Sequence, residues 1–292
     1  MKPSFSKIEF YITNVCNLTC DHCNRFNNYD FKGWQSWADY EPVYQTWAKL
    51  IDLGAITIMG GEPTLNPTLT DWIYGLNRVF GIEVQVLTNG TRINKVRGLY
   101  EALRNVVPNG KENSIAVSLH RADEIDQLRA DIADFLHGDI WENTHNPQQW
   151  NCDWQFSDRN GVLINIYLQN RFETSSIRLL PNGVKTLHNS NPDRAHSACT
   201  HVKYKSYHFI RGQLYKCGPV ALMPEFDQQH RFAISDQDRT LLNSYRPLTV
   251  DNFADYHAEF LRDLDKPLPQ CKFCPENKQW INIAPTRKGH LL

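Results

Sequence analysis

The amino-acid sequence predicts an α/β fold with a parallel sheet, followed by a smaller cysteine-rich unit. Short apolar runs typical of strands alternate at least four times with helical segments in the first part of the chain. This alternation with long crossovers is typical of βαβ units, because parallel neighbours need a crossover connection. The pattern stops near Pro181, and four of the eight cysteines follow that point. We therefore expect two units, 1–185 and 186–292.

The elements of the first unit follow from apolar periodicity. Segments 42–53, 71–80, 92–104 and 122–136 have helical spacing, and Pro42 and Gly54 indicate the start and end of the first helix. The connection 137–160 has no clear pattern. Strands are predicted at residues 8–12, 55–59, 82–87, 114–120, 162–169 and 176–180.

The second unit begins with a different pattern. Residues 207–217 predict a hairpin that turns at Arg211-Gly212, and residues 249–264 predict an amphipathic helix. We place the boundary between the two units within residues 181–193.

The composition limits the possible classes of protein. The 292 residues include 31 Lys and Arg against 32 Asp and Glu, and this net charge of −1 gives no attraction for duplex nucleic acid or an anionic membrane. The sequence has neither a membrane span nor a signal segment, so we expect a cytoplasmic protein without a membrane partner. In a reducing compartment, eight cysteines favour metal binding or catalysis over disulfides.

Three cysteines, Cys16, Cys20 and Cys23, follow the first predicted strand in the sequence T-N-V-C-N-L-T-C-D-H-C-N. Thiolates are soft ligands for zinc or iron–sulfur clusters. The C-x3-C-x2-C spacing fits three corners of a 4Fe–4S cluster with one iron left open. The alternative is a zinc site with His22 as fourth ligand, although His22 lies in a cramped position between two of the cysteines.

Polar motifs also follow the next three strands. They are Gly60-Gly61-Glu62-Pro63, Thr88-Asn89-Gly90 and Ser118-Leu119-His120. Because the carboxyl ends of parallel strands meet at one edge of a sheet, we expect these residues and the three cysteines to assemble one site.

The cysteine motif and the three strand-end motifs together resemble the radical S-adenosylmethionine (SAM) superfamily over roughly Lys7 to Leu180. The resemblance implies a partial (β/α)6 TIM-like barrel. It also implies that the three cysteines hold a 4Fe–4S cluster, whose open iron chelates the amino and carboxylate groups of SAM. An external electron donor such as flavodoxin or ferredoxin would reduce the cluster. One departure is His22, since the family usually has Tyr or Phe before the third cysteine.

The resemblance also implies the roles of the strand-end residues. Gly60 and Gly61 would let the backbone approach the methionine amino group, because no Cβ intrudes. Glu62 would hold that ammonium by charge. Asn89 and Ser118 would make polar contacts to the ribose or carboxylate of SAM.

The four later cysteines form the pattern C-x12-G-x4-C with a later C-x2-C. They are Cys199, Cys217, Cys271 and Cys274. From spacing alone, structural zinc and an iron–sulfur cluster are nearly even alternatives. The pattern resembles the twitch domain, a short form of the SPASM domain, which implies an auxiliary 4Fe–4S cluster. Cys152 is interpreted as a buried apolar residue, with a hydrogen-atom donor as the alternative.

Alternation along the strands predicts a polar face that lines the barrel interior. Its residues would contact SAM or the substrate, unless they only satisfy one another or face solvent. They are His120, Asn165, Tyr167, Gln169 and Arg178.

The sequence therefore predicts a radical SAM enzyme that oxidises a polar small molecule by dehydrogenation with an auxiliary cluster. The alternatives are a maturase of a ribosomally made peptide and an enzyme that modifies a nucleoside or base. The non-enzymatic alternative is a zinc-stapled binding protein.

Overall fold

The structure is a computed structural model, and it describes residues 2–27, 29, 32–138, 140–143 and 152–288. Part of the unpatterned connection, residues 139 and 144–151, lies outside the described residues.

The strands are β1 (Ser4–Phe5), β2 (Ile8–Tyr11), β3 (Leu18–Thr19), β4 (Asp52–Leu53), β5 (Ile56–Met59), β6 (Val84–Thr88), β7 (Ser114–Leu119), β8 (Trp141–Asn143), β9 (Trp154–Ser157), β10 (Leu163–Leu168), β11 (Arg171–Glu173), β12 (Ile177–Leu179), β13 (Lys185–Leu187), β14 (Tyr207–Ile210), β15 (Gln213–Tyr215), β16 (Trp280–Asn282) and β17 (Thr286–Arg287). The helices are α1 (Trp37–Leu50), α2 (Leu69–Phe80), α3 (Leu99–Leu103), α4 (Ile125–Phe135), α5 (Pro192–Ser197), α6 (Thr200–Lys203), α7 (Gly218–His230), α8 (Asp236–Asn243) and α9 (Phe253–Asp263).

A nine-stranded sheet organises these elements in the order β15-β14-β2-β5-β6-β7-β10-β9-β8. The six strands from β14 to β10 are parallel, while β15 at one edge and β9 and β8 at the other are antiparallel. The predicted α/β fold with a parallel sheet is therefore confirmed. No helix in the described part of the chain is both long and apolar enough to cross a membrane.

The predicted alternation of strand faces is also confirmed. Phe10, Val86 and Ile166 belong to one buried apolar face, which packs into a core with residues of α1 to α4. On the opposite face, Tyr11 of β2 packs with Phe226 of α7 in a second, smaller cluster. Helix α7 therefore covers part of the face that the sequence predicted to line the barrel.

The first helix begins earlier than predicted. It starts at Trp37, so Pro42 lies inside it and not at its start. The extra turn packs the Trp37 ring against Tyr44 and Trp72. Burial of this large aromatic side chain offsets the cost of a proline in the helix. The predicted end at Gly54 is also wrong, because residues 52 and 53 form β4, which pairs with β1.

The predicted sixth barrel strand has a different partner. Strand β12 pairs antiparallel with β13 in a separate two-stranded sheet, so it does not join the parallel strands. The reason is the Pro181-Asn182-Gly183 turn, where the Gly183 amide donates to the Leu180 carbonyl at 2.8 Å and Gly183 has a φ of +79°. This turn reverses the chain into a hairpin.

The sixth parallel strand comes instead from the C-terminal segment. The predicted hairpin at Arg211-Gly212 is confirmed, with positive φ at both residues, and its first strand β14 lies parallel to β2. Phe209 on β14 packs against Phe10, Tyr44 and Trp47, with ring centroids 5.1 to 5.4 Å apart. The predicted boundary at 185/186 stays a prediction, and the segments on its two sides share one core.

We predict that Phe209→Ala destabilises the whole protein. Phe209 is 0% exposed, and truncation of a buried Phe costs about 3–5 kcal/mol. Urea unfolding followed by circular dichroism measures the change, with Val106→Ala, at a residue 88% exposed, as the control that leaves stability unchanged. A loss below about 1 kcal/mol would show that the C-terminal hairpin contributes little to the main core.

Candidate functional site

A cavity of about 380 Å³ lies at the carboxyl ends of the parallel strands. Residues of each predicted strand-end motif line it together with the first three cysteines, as does Gln169, whereas Pro63, Gly90 and Leu119 are not part of its lining. We refer to it as the N-terminal cavity; its lining includes Cys16, Cys20, Cys23, Gly60, Gly61, Glu62, Asn89, Ser118 and His120. The sequence-based expectation that these motifs meet at one edge of the sheet is therefore confirmed, while the role of each residue remains a prediction.

The three cysteines lie in the connection between β2 and α1, with Cys16 before β3 and Cys20 and Cys23 after it. Burial raises the pKa of the Cys16 thiol to about 12 and also raises the pKa of Cys20, so a ligand that takes thiolates must offset this cost. The Nδ1 atom of His22 accepts a hydrogen bond from the Ser175 amide at 3.2 Å. In the described part of the chain, no three His, Cys, Asp or Glu side chains form a group that could hold a single metal ion. A 4Fe–4S cluster is a different case, because each of its thiolates binds a separate iron.

Gly60 and Gly61 lie against the segment that leads into the cysteine loop. The Gly61 amide donates to the Thr13 carbonyl and the Glu62 amide to the Val15 carbonyl, each at 2.7 Å. A Cβ at Gly60 would lie 2.5 Å from the Thr13 carbonyl oxygen, and one at Gly61 would overlap the Val15 carbonyl. Within the protein itself, these glycines are therefore required by the approach of the cysteine loop.

The Glu62 carboxylate is buried, at 1% exposure, and accepts four hydrogen bonds. Its Oε1 accepts from the Thr64 amide, the Thr64 hydroxyl and the Thr88 hydroxyl, and its Oε2 accepts from the Asn89 amide at 2.8 Å. Burial raises the pKa of Glu62, and these four donors oppose that rise. Glu62 thus links the loops after β5 and β6, a role that the sequence did not reveal.

Asn89 is linked to the cysteine loop through Asn17. Its Nδ2 donates to Asn17 Oδ1 at 2.8 Å, and Asn17 Nδ2 donates to the Thr91 hydroxyl at 2.8 Å. Asn17 was not selected from the sequence, although its position directly after Cys16 indicated that it would lie near the cysteine site. The side chain of Asn89 therefore fixes the loop next to the first cysteine.

His120 lies at the end of β7, and its Nδ1 is 2.9 Å from the Gln169 carbonyl oxygen. A carbonyl only accepts, so Nδ1 carries the proton and Nε2 of the neutral ring is an acceptor. Burial lowers the pKa of His120, which favours this neutral form. The ring also packs edge-on against Phe172.

Three predicted lining residues do not reach the N-terminal cavity. Asn165 and Tyr167 are on β10, whose outer edge is covered by β9, and Asn165 Oδ1 accepts from Gln155 Nε2 at 2.8 Å. Cys152 lies beside them, with its Sγ 3.7 Å from the same oxygen. Arg178 is on β12, outside the parallel sheet.

The C-terminal cysteines surround a second, smaller cavity of about 60 Å³, which we call the C-terminal cavity. Burial raises the pKa of the Cys217 thiol well above its usual range and that of Cys274 to about 12. The two cavities share lining from Asn24 and Glu173, so they are neighbours. The lining of the C-terminal cavity includes Cys199, Cys217, Cys271, Cys274 and Lys216.

A buried ionic group that the sequence did not reveal borders the N-terminal cavity. Arg25, two residues after Cys23, donates from Nη2 to Glu9 Oε2 at 2.9 Å, and His208 Nε2 lies 2.7 Å from the same oxygen. Burial would raise the pKa of Glu9, but His208 and Arg25 hold it well below its usual range. Glu9 is therefore ionised and paired with Arg25.

A family model and a curated protein match part of the chain. Residues 10–150 match the family model described as Radical SAM superfamily. A curated protein of Methanothermobacter thermautotrophicus, "Probable GTP 3',8-cyclase", is 30% identical over 80 residues, which cover 27% of this chain and 26% of that protein. The chain thus matches about a quarter of the length of this relative.

Two solved structures have a partial likeness. Streptococcus suis SuiB bound to S-adenosylmethionine aligns with a TM-score of 0.34 and 20% identity, over 41% of this chain and 26% of that one. BtrN in complex with AdoMet and 2-DOIA aligns with a TM-score of 0.32 and 23% identity, over 42% and 48% of the two chains.

We predict that Gly61→Ala weakens SAM binding. The new Cβ must displace the Val15 carbonyl next to Cys16. Overpacking costs about 1–3 kcal/mol. Where the SAM-bound arrangement of the loop bears this cost, SAM affinity falls about fivefold to more than a hundredfold. Isothermal titration calorimetry with SAM on iron-loaded, unreduced protein measures this loss.

The matched control for Gly61→Ala is Gly98→Ala. Gly98 has a φ of +74° and no close neighbour other than Thr70, so alanine there strains the backbone away from the cavity. We expect Gly98→Ala to lower stability and leave SAM affinity unchanged. Equal SAM affinities for the two variants and the wild type would contradict the role of the Gly61 contact.

Proposed function

Because residues 10–150 identify the chain as a member of the radical SAM superfamily, we propose that it dehydrogenates a polar small molecule with the help of an auxiliary 4Fe–4S cluster. A 4Fe–4S cluster and SAM are the cofactors of the superfamily. The observation that carries the proposal is the C-terminal cavity with its four cysteines, which shares Asn24 and Glu173 with the N-terminal cavity.

The residues present fit the first cluster and SAM. Cys16, Cys20 and Cys23 offer three thiolates at a cavity of about 380 Å³, within the usual size range of a small-molecule site. Bound together, the cluster and SAM supply the one-electron chemistry that removes a hydrogen atom from a substrate. The chain's own contribution is the fixed loop around Glu62 and Asn89, which orients whatever occupies the cavity.

Dehydrogenation of an alcohol also requires a group that takes a proton. His120 supports this step, because its Nδ1 is engaged with the Gln169 carbonyl and its Nε2 carries a lone pair. The second electron requires an acceptor, and the four C-terminal cysteines are the donor set of a cluster that could take it. An external reducing protein such as flavodoxin or ferredoxin would supply the first electron.

We predict that anaerobically purified protein holds about eight irons and eight sulfides per chain. The variant Cys16→Ala/Cys20→Ala/Cys23→Ala is expected to retain about four of each and to form no 5′-deoxyadenosine from SAM under dithionite. Cys152→Ala is the control with unchanged iron. About four irons in the wild type, with zinc at the other cysteines, would remove the auxiliary cluster and favour its zinc alternative.

The reaction type is tested with a panel of small molecules. The panel contains a cyclitol (scyllo-inositol), an amino sugar (glucosamine), nucleosides and GTP, each incubated with enzyme, SAM and reductant. We expect substrate-dependent 5′-deoxyadenosine and a product that lacks two hydrogens, detected by mass spectrometry. A product with the mass of its GTP substrate would indicate cyclisation and contradict dehydrogenation.

A further inference from the structure

The C-terminal cavity contains a buried lysine that no function has yet explained. Lys216 is only 6% exposed and lines the cavity together with all four of its cysteines. It lies between the end of β15 and Cys217, which precedes α7. The position is therefore fixed by the same hairpin that pairs with β2.

Lys216 has hydrogen-bond acceptors but no carboxylate partner. Its Nζ donates to the carbonyl oxygens of Asp263, at 3.2 Å, and Lys266, and lies 3.5 Å from His196 Nε2. Across residues 2–288 as far as they are described, no carboxylate lies within ion-pair distance of it. The Asp263 carboxylate contacts Arg262 and Lys266 instead. A buried ammonium without a counter-ion is costly, so this position requires a negative group nearby.

Among the residues that line the cavity, the cysteines are candidates for that negative group. Burial lowers the pKa of Lys216, and the thiols of Cys271, Cys217 and Cys199 oppose this effect. Asp265 also lines the cavity, but it is exposed and solvent screens its charge. Thiolates that bind a cluster would give the cavity the negative charge that the ammonium lacks.

The other buried charges near the two cavities are balanced or negative. Lys278 donates to Glu173 at 2.7 Å, and Arg25 donates to Glu9 at 2.9 Å, so each cation has its own carboxylate. Glu62 adds a buried carboxylate to the N-terminal cavity. Lys216 thus gives the C-terminal cavity an extra positive charge that the N-terminal cavity does not have.

We propose that Lys216 is the counter-charge of a 4Fe–4S cluster held by the four C-terminal cysteines and that it raises the reduction potential of this cluster. The proposal rests on the auxiliary cluster of the proposed function. Each electron added to a cluster and its four thiolates increases their negative charge by one. A fixed ammonium in a buried site stabilises that added charge, which favours the reduced form. A raised potential suits a cluster that accepts an electron.

The test uses the full-length Cys16→Ala/Cys20→Ala/Cys23→Ala protein, in which only the C-terminal cluster remains. Its midpoint potential is measured by a redox titration monitored by electron paramagnetic resonance. We expect Lys216→Met to lower the equilibrium constant for reduction about tenfold or more, a shift of about 59 mV for one electron to more negative potential. Lys216→Arg keeps the charge and is expected to stay near the parent value.

Lys272→Met is the matched control. Lys272 lies between Cys271 and Cys274 in sequence, but its Nζ donates to Asp238 Oδ1 at 2.6 Å and it does not line the cavity. We expect the midpoint potential of the cluster in Lys272→Met to equal that of the parent. Equal potentials for Lys216→Met, Lys272→Met and the parent would overturn the role of Lys216.

The iron content of the Lys216 variants and of the parent separates the remaining outcomes. If Lys216→Met loses its iron, Lys216→Gln provides the second neutral variant, and loss of iron from both while Lys216→Arg retains it supports a counter-charge. Loss of iron from Lys216→Arg as well would show a requirement for lysine shape and contradict the proposal. A parent protein without iron at the C-terminal cysteines would overturn the auxiliary cluster and this inference together. A cluster that is present in the parent, but whose midpoint potential does not change when Lys216 is replaced, would overturn the inference alone.

Discussion

The close backbone contact between Gly60-Gly61 and the segment before Cys16 is the constraint on which the rest of the site depends. Two hydrogen bonds of 2.7 Å continue the pairing of β2 with β5 beyond the ends of the strands. This continuation determines where the cysteine loop begins. The next residue, Glu62, then accepts donors from the loops after β5 and β6 and fixes both against the cysteine loop. A side chain at either glycine would separate these parts.

The second feature on which the site depends is the parallel pairing of β14, from the C-terminal part of the chain, with β2. The parallel pairing of β14 with β2 places His208 beside Glu9 and leads through β15 directly to Lys216 and Cys217. Gly218 has no side chain, and a Cβ there would lie 3.1 Å from His208 and 3.2 Å from Arg25. Helix α7 therefore begins in close contact with the buried ionic group, and this contact brings the C-terminal cysteines next to the first cavity.

Much of the fold could be predicted from the sequence, because local patterns encode it. Apolar alternation located the five parallel strands of the first unit and identified their apolar face, and the strand-end motifs converged as expected. Strand partners are not encoded locally, so β12 was assigned to the sheet and β14 was not. The Pro181-Asn182-Gly183 turn was a readable signal for the hairpin of β12 and β13. Asn165 was misplaced for a related reason, since only the tertiary structure shows that Gln155 of β9 lies opposite it and donates to its side chain.

The functions of polar side chains were less predictable than their positions. Glu62 and Asn89 have the residue types expected for cofactor contacts, yet most of their hydrogen-bonding capacity is used within the protein. Their effect on a bound molecule is therefore largely to orient the surrounding loops. Lys216 differs from Glu62 and Asn89, because its sequence context gave no reason to expect a functional role. Only its burial beside four thiols, without a carboxylate partner among the described residues, makes its charge significant. In a site of low polarity, one unpaired charge changes the electrostatic potential of the cavity more than several ion pairs do. The reason is that the opposite charges of a pair largely cancel at a distance.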